Sequence, residues 1–342
     1  MQARIPEKNK KAGVCYAVTD DGIELPVIDV THPAFALWNS DSELDRLLQR
    51  HLKDLKSQER MPAFVRRWML HFMQEHSILM RGIDASAGTF LTGMNTYLLK
   101  LGTDNLNDCY MSSIDHRIAA SLPTLAVRLR LQDIAQLLAE DLASTLSADA
   151  KATLHLLNIG GGQAIDSLNV LIILEKGRPD LLAGRRIFVH SLDLDSTGPN
   201  FGSRALTALQ AANGLLHGLD VSFDYIKYDW SDPSILSTLV NSFENNNVVV
   251  AASSEGALFE YGSDDEITTN LQALHKVTSA NSIIAGTVTR ADNYGRLLNS
   301  ASQAALNLRG LEALAVLTLR AGWKVIKVMD RPMSHDVLLE KV

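Results

Sequence analysis

Cysteine is scarce in this chain: only Cys15 and Cys109 occur among 342 residues. Two thiols are too few for a metal cluster and give no disulfide framework. Basic residues do not predominate either, since 32 Lys and Arg stand against 39 Asp and Glu for a net charge of −7. A nucleic-acid surface needs clustered Lys and Arg, and here Arg66-Arg67 and Arg185-Arg186 are only pairs, so no nucleic-acid partner is expected. No apolar run is long enough to span a bilayer, and Met1 to Lys11 holds no signal-peptide core. The expectation is a cytoplasmic protein without a membrane partner. Internal repeats and low-complexity segments are missing, and Asn245 to Asn247 reads as a loop. What is abundant is apolar sequence, 46% of the chain, enough for a large core and suggestive of two domains.

The most informative segment is Leu154-His-Leu-Leu-Asn-Ile-Gly160-Gly161-Gly162-Gln-Ala164. An apolar run stops at three glycines and opens into a helical pattern from Ile165 to Lys176, apolar on nearly all sides. Such a strand-turn-helix binds nucleotides, because glycine supplies positive φ and lets the backbone approach a ligand; an ordinary tight loop is the alternative.

Strand and helix then alternate to Val342. A strand over Arg186 to Asp193 leads through Asp195 and Ser196 to a helix from Ser203 to His217. A third strand, Val221 to Tyr228, ends in Asp229-Trp230, and a fourth, Asn247 to Ala252, ends in Ser253-Ser254-Glu255-Gly256. A helix over Asp264 to Thr278 precedes a fifth strand at Ser282 to Thr289. One long helix, about Ala301 to Ala321, reaches Gly322-Trp323 and two closing strands, Lys324 to Met329 and Asp336 to Glu340. This alternation predicts an α/β fold with a mostly parallel sheet covered on both faces.

Over roughly residues 150 to 342 the chain resembles the class I S-adenosylmethionine-dependent methyltransferases. The Ala-Gly-Trp turn and the hairpin-like final pair look like the antiparallel last strand that this family adds to a Rossmann-like, seven-stranded sheet. The family's acid-x-Gly-x-Gly-x-Gly motif is met at Gly160 and Gly162, while Asn158 replaces the acid and Ala164 the last glycine. The resemblance implies S-adenosyl-L-methionine as cofactor, on a site of Asn158, Gly160, Gly161, Gly162 and Ser253. Asp193 would accept both ribose hydroxyls, with Asp195 competing for that role; Asp229 would take the adenine amino group, and Trp230 would cover a ring face. Each acid has a second reading as a helix N-cap. No metal is implied.

Ser253, Ser254, Glu255 and Tyr261 follow the fourth strand, where the family places substrate-facing groups. Glu255 is the best acid–base candidate by position, although it equally suits a helix cap. The histidine that many small-molecule O-methyltransferases carry there has no counterpart; His275 sits in an apolar helix and reads as structural. Methyl transfer can proceed through positioning alone, so the missing base does not exclude it. Tyr97, Tyr261 or Trp230 could face a sulfonium through cation–π contact. Two further functions stay open. One is intramolecular cyclisation of S-adenosylmethionine to azetidine-2-carboxylate with release of methylthioadenosine; the other is a catalytically silent binding protein.

Residues 1–150 read as a mainly helical domain after a short β-hairpin, residues 151–342 as the cofactor domain, with the hinge at Ser147 to Lys151. The hairpin runs from Val14 to Asp29 with its turn at Asp21-Gly22. Helices are predicted from Ser42 to Lys56 with Asp41 or Ser42 as cap, from Pro62 onward, over Thr89 to Leu101, and over Asp115 to Leu142. Phe64, Val65, Trp68, Met69 and Phe72 form a stripe suited to core or a dimer face, with a substrate wall as the lesser reading. Arg117, Arg128 and Arg130 either line solvated faces or bind a ligand carboxylate. These helices would act as a lid that shapes a small-molecule pocket and supports a homodimer.

Overall fold

The computed structural model describes residues 4–37, 41–107, 110, 112–243, 247–300 and 304–342. Cys109, Asn245, Asn246, the side chain of Asp41 and the expected helix start at Ala301 lie outside the described residues.

Seven strands form one sheet: β3 (Thr153–Ile159), β4 (Arg186–Asp193), β5 (Asp220–Lys227), β6 (Val248–Ser254), β7 (Ile283–Thr289), β8 (Trp323–Asp330) and β9 (Ser334–Lys341). Their order is β5-β4-β3-β6-β7-β9-β8; the first five are parallel, and β9 runs antiparallel to both neighbours. The near-continuous apolar burial of β3, β6 and β7 is what a sheet covered on both faces requires.

One face carries α6 (Leu122–Ala148), α7 (Ile165–Gly177) and α8 (Thr197–Gln210); the other carries α9 (Ser234–Asn241), α11 (Asp264–Val277) and α13 (Gly310–Arg320). Alternation along each strand divides the core accordingly. Leu154 and Leu156 point to the first face with Leu168, Leu171 and Phe201, and Leu157 and Ile159 to the second with Leu258, Leu271 and Trp323. Trp323 is fully buried and donates its indole N–H to Leu271 O at 2.9 Å, which locks the Ala-Gly-Trp turn onto α11. His275 lies edge-on to that ring, as its structural reading requires.

The N-terminal part begins with the hairpin β1 (Tyr16–Val18) and β2 (Glu24–Pro26), followed by α1 (Asp41–Glu59), α2 (Ala63–His76), α3 (Ile78–Asp84), α4 (Gly93–Leu101) and α5 (Ser113–Ala119). Its core is continuous with that of the sheet: Leu131, Ile134 and Leu138 of α6 share a cluster with Leu154, Leu171 and Leu338.

Several boundaries differ from expectation for local reasons. The helix expected over 115–142 is two, because Pro123 starts a new first turn after Ser121. Of the helix expected over about 301–321, only α13 forms among the described residues, and α12 (Asn293–Asn299) precedes that range; Gly310, at φ 74°, sits at the start of α13 in a left-handed conformation. The aromatic stripe of α2 is not core. No residue of that helix is buried, and Phe64, Trp68 and Phe72 are 76%, 68% and 43% exposed.

Candidate functional site

The parallel strands end together on one edge of the sheet, and pairing brings Asn158 level with Ser253 of β6 and Ser191 of β4. The turn that leaves β3 folds over this edge with Gly160 at φ 69° and Gly162 at φ 62°. It is pinned by three hydrogen bonds: Gly160 N–H to Leu192 O (2.7 Å), Ser191 Oγ to Gly162 O (2.5 Å), and Gly162 N–H to Asp193 Oδ2 (2.9 Å). Ala164, where the sequence motif would have its last glycine, is held at φ 50°, the one left-handed non-glycine among the described residues. The conformation of the motif thus survives the substitution, at the strain a Cβ carries there.

Asp193 is half-buried at the end of β4. Burial pushes its carboxyl above the usual range, while the N–H groups of Asp195 and Gly162 pull it back. Its Oδ1 accepts from Asp195 N (3.0 Å), whereas Asp195 spends its own carboxylate on Thr197 at the start of α8. Of the two candidates, Asp193 is therefore the one built into the glycine turn. Asp229 is exposed and closes a local turn through Ser231 N (2.9 Å). Trp230 lies across the turn: a Cβ on Gly160 would come within 2.8 Å of its ring and of Ala257 Cβ.

From the other part of the chain, Gly93 at the start of α4 packs against Gly162, whose added Cβ would lie 2.8 Å from Gly93 Cα. Gly198 of α8 closes on the same loop, and three glycine backbones meet where any side chain would separate them. Phe90, just before α4, tilts against Trp230 and stands edge-on to Tyr261, each with ring centroids 6.2 Å apart. Tyr261 ends the short helix α10 (Leu258–Tyr261), which Arg309 fixes by donating to Phe259 O (2.7 Å) and Gly262 O (2.8 Å). Burial pushes its phenol up to about 12, so it remains protonated and available as a donor at neutral pH.

Two expected catalytic residues have structural roles. Tyr97 faces away from the turn: it packs edge-on against Phe201, donates to Pro26 O (2.7 Å) and accepts from Ile28 N (3.2 Å). Its burial raises the phenol pKa further still. Ser254 Oγ accepts from Leu258 N (2.9 Å), the first residue of α10, and so holds the turn that leads into it.

Glu255 is engaged on both oxygens. Lys100 of α4 bonds its Oε2, and Arg130 of α6 bonds its Oε1 at 2.6 Å. Arg130 continues to Glu260 (3.2 Å), which accepts from Thr287 Oγ1 (3.0 Å) and whose carboxyl is raised mainly by burial. Arg130 is therefore no solvated surface residue; it links the helical part to the sheet edge. Glu255, held between two cations, is neither a free base nor a simple helix cap. Sequence reasoning passed over Lys100, Glu260, Phe90 and Asp166 of α7. A lysine in Leu98-Leu99-Lys100-Leu101 and an aspartate opening an apolar helix were the available signals, since such groups are rarely buried unless paired.

No family model matches the sequence, and neither does any curated protein. Solved structures do resemble the fold. A possible exported protein of Bordetella parapertussis is 14% identical and covers 88% of this chain and 96% of that one, with a TM-score of 0.57. Lower similarity links the chain to the mitomycin 7-O-methyltransferase MmcR (14% identity, 68% and 59% coverage, TM-score 0.40). A Burkholderia thailandensis 1,6-didemethyltoxoflavin-N1-methyltransferase stands near it (14%, 62% and 78%, 0.39). Strand order, the inserted antiparallel β9 and the glycine turn after β3 decide the architecture. The chain has a Rossmann-like α/β fold of seven strands with an antiparallel β9. In open α/β sheets of this kind ligands bind outside the carboxyl ends of the strands, which is where Gly160 to Gly162, Asp193, Trp230, Ser253 and Tyr261 stand. Among the described residues no helix is long and apolar enough to cross a membrane, and no group of side chains is arranged to hold a metal.

Proposed function

We propose that this edge binds S-adenosylmethionine and that the protein transfers its methyl group to an oxygen or nitrogen of a small molecule. The observation that carries the reading is the bond from Gly162 N–H to Asp193 Oδ2, which couples the glycine turn to the acid at the end of the neighbouring strand. The residues fit the group. Gly160 and Gly162 supply a tight turn packed against Trp230, Ala257 and Gly93, Asp193 offers a carboxylate to a ribose diol, and the Trp230 indole offers a flat apolar face.

When bound, the sulfonium supplies an electrophilic methyl carbon. This chain's contribution is positioning and the exclusion of water. Phe90, Trp230 and Tyr261 wall the mouth of the site, and the α4 start closes on the loop. Tyr261 keeps its proton and can orient an acceptor oxygen by donating to it. Glu255 and Glu260 are tied to Lys100 and Arg130, so an acceptor that ionises easily suits the site better than one needing a strong base. A cytoplasmic location belongs to the same proposal, as does a homodimer, for which the exposed Phe64, Trp68 and Phe72 supply an apolar face.

Calorimetry with S-adenosylhomocysteine tests the cofactor reading, and absence of binding to the wild-type protein refutes it. Incubation with S-adenosylmethionine alone, followed by mass spectrometry, tests the reaction. Intact cofactor is expected, whereas methylthioadenosine with a cyclic amino acid would replace methyl transfer by intramolecular cyclisation.

A further inference from the structure

A cavity of about 120 Å³ lies in the N-terminal part, between the first described residues, the hairpin and the segment that follows α4. That volume has room for several waters or one small organic molecule. The strap that covers it is fastened at both ends. Ile5 N–H donates to Glu24 Oε2 (2.8 Å) and Lys10 Nζ to Glu24 Oε1 (3.1 Å), so both oxygens of this buried carboxylate are engaged. Lys11 Nζ then donates to Asp104 O (2.8 Å) and Asn105 Oδ1 (2.7 Å), which ties the strap to the turn after α4. None of these residues belongs to the sheet.

The polar groups on the cavity wall are donors with capacity to spare. Arg4 makes no hydrogen bond or ion pair among the described residues. Lys11 spends two of its three ammonium donors on neutral oxygens, so its charge is not compensated. Tyr16 accepts from Lys11 N–H (2.8 Å), and its own hydroxyl proton has no acceptor among the described residues. The neighbouring acids do not offset this. Glu24 is taken up by the strap, Glu7 pairs with Lys10 (2.8 Å), and the exposed Asp104 carboxylate accepts from Thr103 Oγ1 (3.3 Å) and attracts Arg128. Two uncompensated cations and a free hydroxyl around one cavity call for an anion with at least two acceptor oxygens. The rest of the wall is apolar, from Ile5, Pro6, Pro26 and Leu106. A bare inorganic anion would leave that side unused, whereas a carboxylate on a short hydrocarbon chain uses both, and a guanidinium matches its two oxygens.

We propose that this cavity binds a small carboxylate with a short aliphatic tail. Arg4 and Lys11 take the carboxylate oxygens, Tyr16 donates to one of them, and the tail lies against Ile5, Pro26 and Leu106. The site is separate from the sheet edge and does not depend on the cofactor reading. Its ligand bridges the strap, the hairpin and the segment after α4, so occupancy stabilises their association.

Saturation-transfer NMR on the full chain with butyrate, at neutral pH and low salt, tests the proposal, with inorganic phosphate and butyramide as competitors. Butyrate is expected to bind saturably with a Kd on the order of 1 mM, as suits so small a ligand. Phosphate has the charge without the tail and butyramide the tail without the charge, and each is expected to compete at least about tenfold less well. Arg4→Gln and Tyr16→Phe are each expected to weaken butyrate by about tenfold, while urea midpoints close to wild type show that both variants fold. Phosphate that displaces butyrate at equal or lower concentration assigns the cavity to inorganic anions and overturns the carboxylate. Butyramide that competes equally shows that the charge plays no part, with the same consequence. Butyrate binding that is unchanged in both variants, or absent from the wild type, removes the site.

Discussion

Gly162→Ala isolates the contact that joins the helical part of the chain to the glycine turn. Two costs add at this position. The first is the left-handed backbone at φ 62°, which disfavours any L side chain by about 1–2 kcal/mol. The second is steric: the new Cβ would stand 2.8 Å from Gly93 Cα, against roughly 3.5–4.0 Å for relaxed carbon contacts, and both neighbours are backbone. Overpacking of that kind costs about 1–3 kcal/mol, because α4 or the turn must move. The expected destabilisation is thus about 2–5 kcal/mol. Gly184→Ala is the control, since Gly184 has φ 70° and nothing within 4 Å of its added Cβ, so it should lose only the backbone part. Urea unfolding of both variants, with m-values compared, measures the difference. Equal destabilisation within about 0.5 kcal/mol would refute close packing of α4 on the turn.

Asp193→Ala should weaken S-adenosylhomocysteine binding by about 10- to 100-fold, the range of hydrogen bonds to a charged group, and unchanged calorimetric affinity removes the ribose assignment. Lys100→Met leaves Glu255 with Arg130 as its sole ion-pair partner in a buried setting and should cost about 3–5 kcal/mol in urea unfolding; a loss below about 1 kcal/mol contradicts the buried pair. Stability should also fall as pH drops below about 6.5, the unfolded value of histidine. Burial pushes His155 down to about 3, helped by its neighbour His190, and His190 down to about 4 against the pull of Asp224. A base with a depressed folded pKa favours folding above the unfolded value and loses that contribution as pH falls toward 4, here by roughly 1 kcal/mol per pH unit for each ring after screening. The urea midpoint of wild type relative to His155→Phe, followed from pH 7 to 5, reads this directly, and parallel profiles disprove it. Burial and Asp133 push the Asp336 carboxyl well above the usual range, so Asp336→Asn should change stability by less than about 1 kcal/mol. Asp133→Asn replaces the carboxylate that Arg331 engages bidentately and should cost more; the reverse order of urea midpoints contradicts this assignment.

The sheet was legible in the sequence because its signals are local. An apolar run ending in Gly160-Gly161-Gly162, acids at strand ends and Ala321-Gly322-Trp323 before two closing strands are short-range patterns, and each reappears within a few residues of its expected place. Helix boundaries were less legible where one residue redirects the chain, as Pro123 does in the helical part and Gly310 does before α13. Side-chain roles were hidden for another reason. Glu255 looks like a base by position, yet Lys100 and Arg130, 155 and 125 residues away, decide what it can do. Tyr97 has the right type for a cation–π wall and the wrong direction, because Pro26 and Ile28 hold its hydroxyl.

These long-range pairings bear on how the site is organised. The charged groups under the glycine turn come from α4 and α6 as much as from the sheet: Lys100 and Arg130 neutralise Glu255 and Glu260, and Asp166 is what remains. Removing the helical part would leave three carboxylates clustered in a low-dielectric setting, which would protonate or separate. The helical part therefore contributes to the electrostatics of the sheet edge, since α4 brings Lys100 to Glu255 and packs Gly93 against Gly162 in the same short helix.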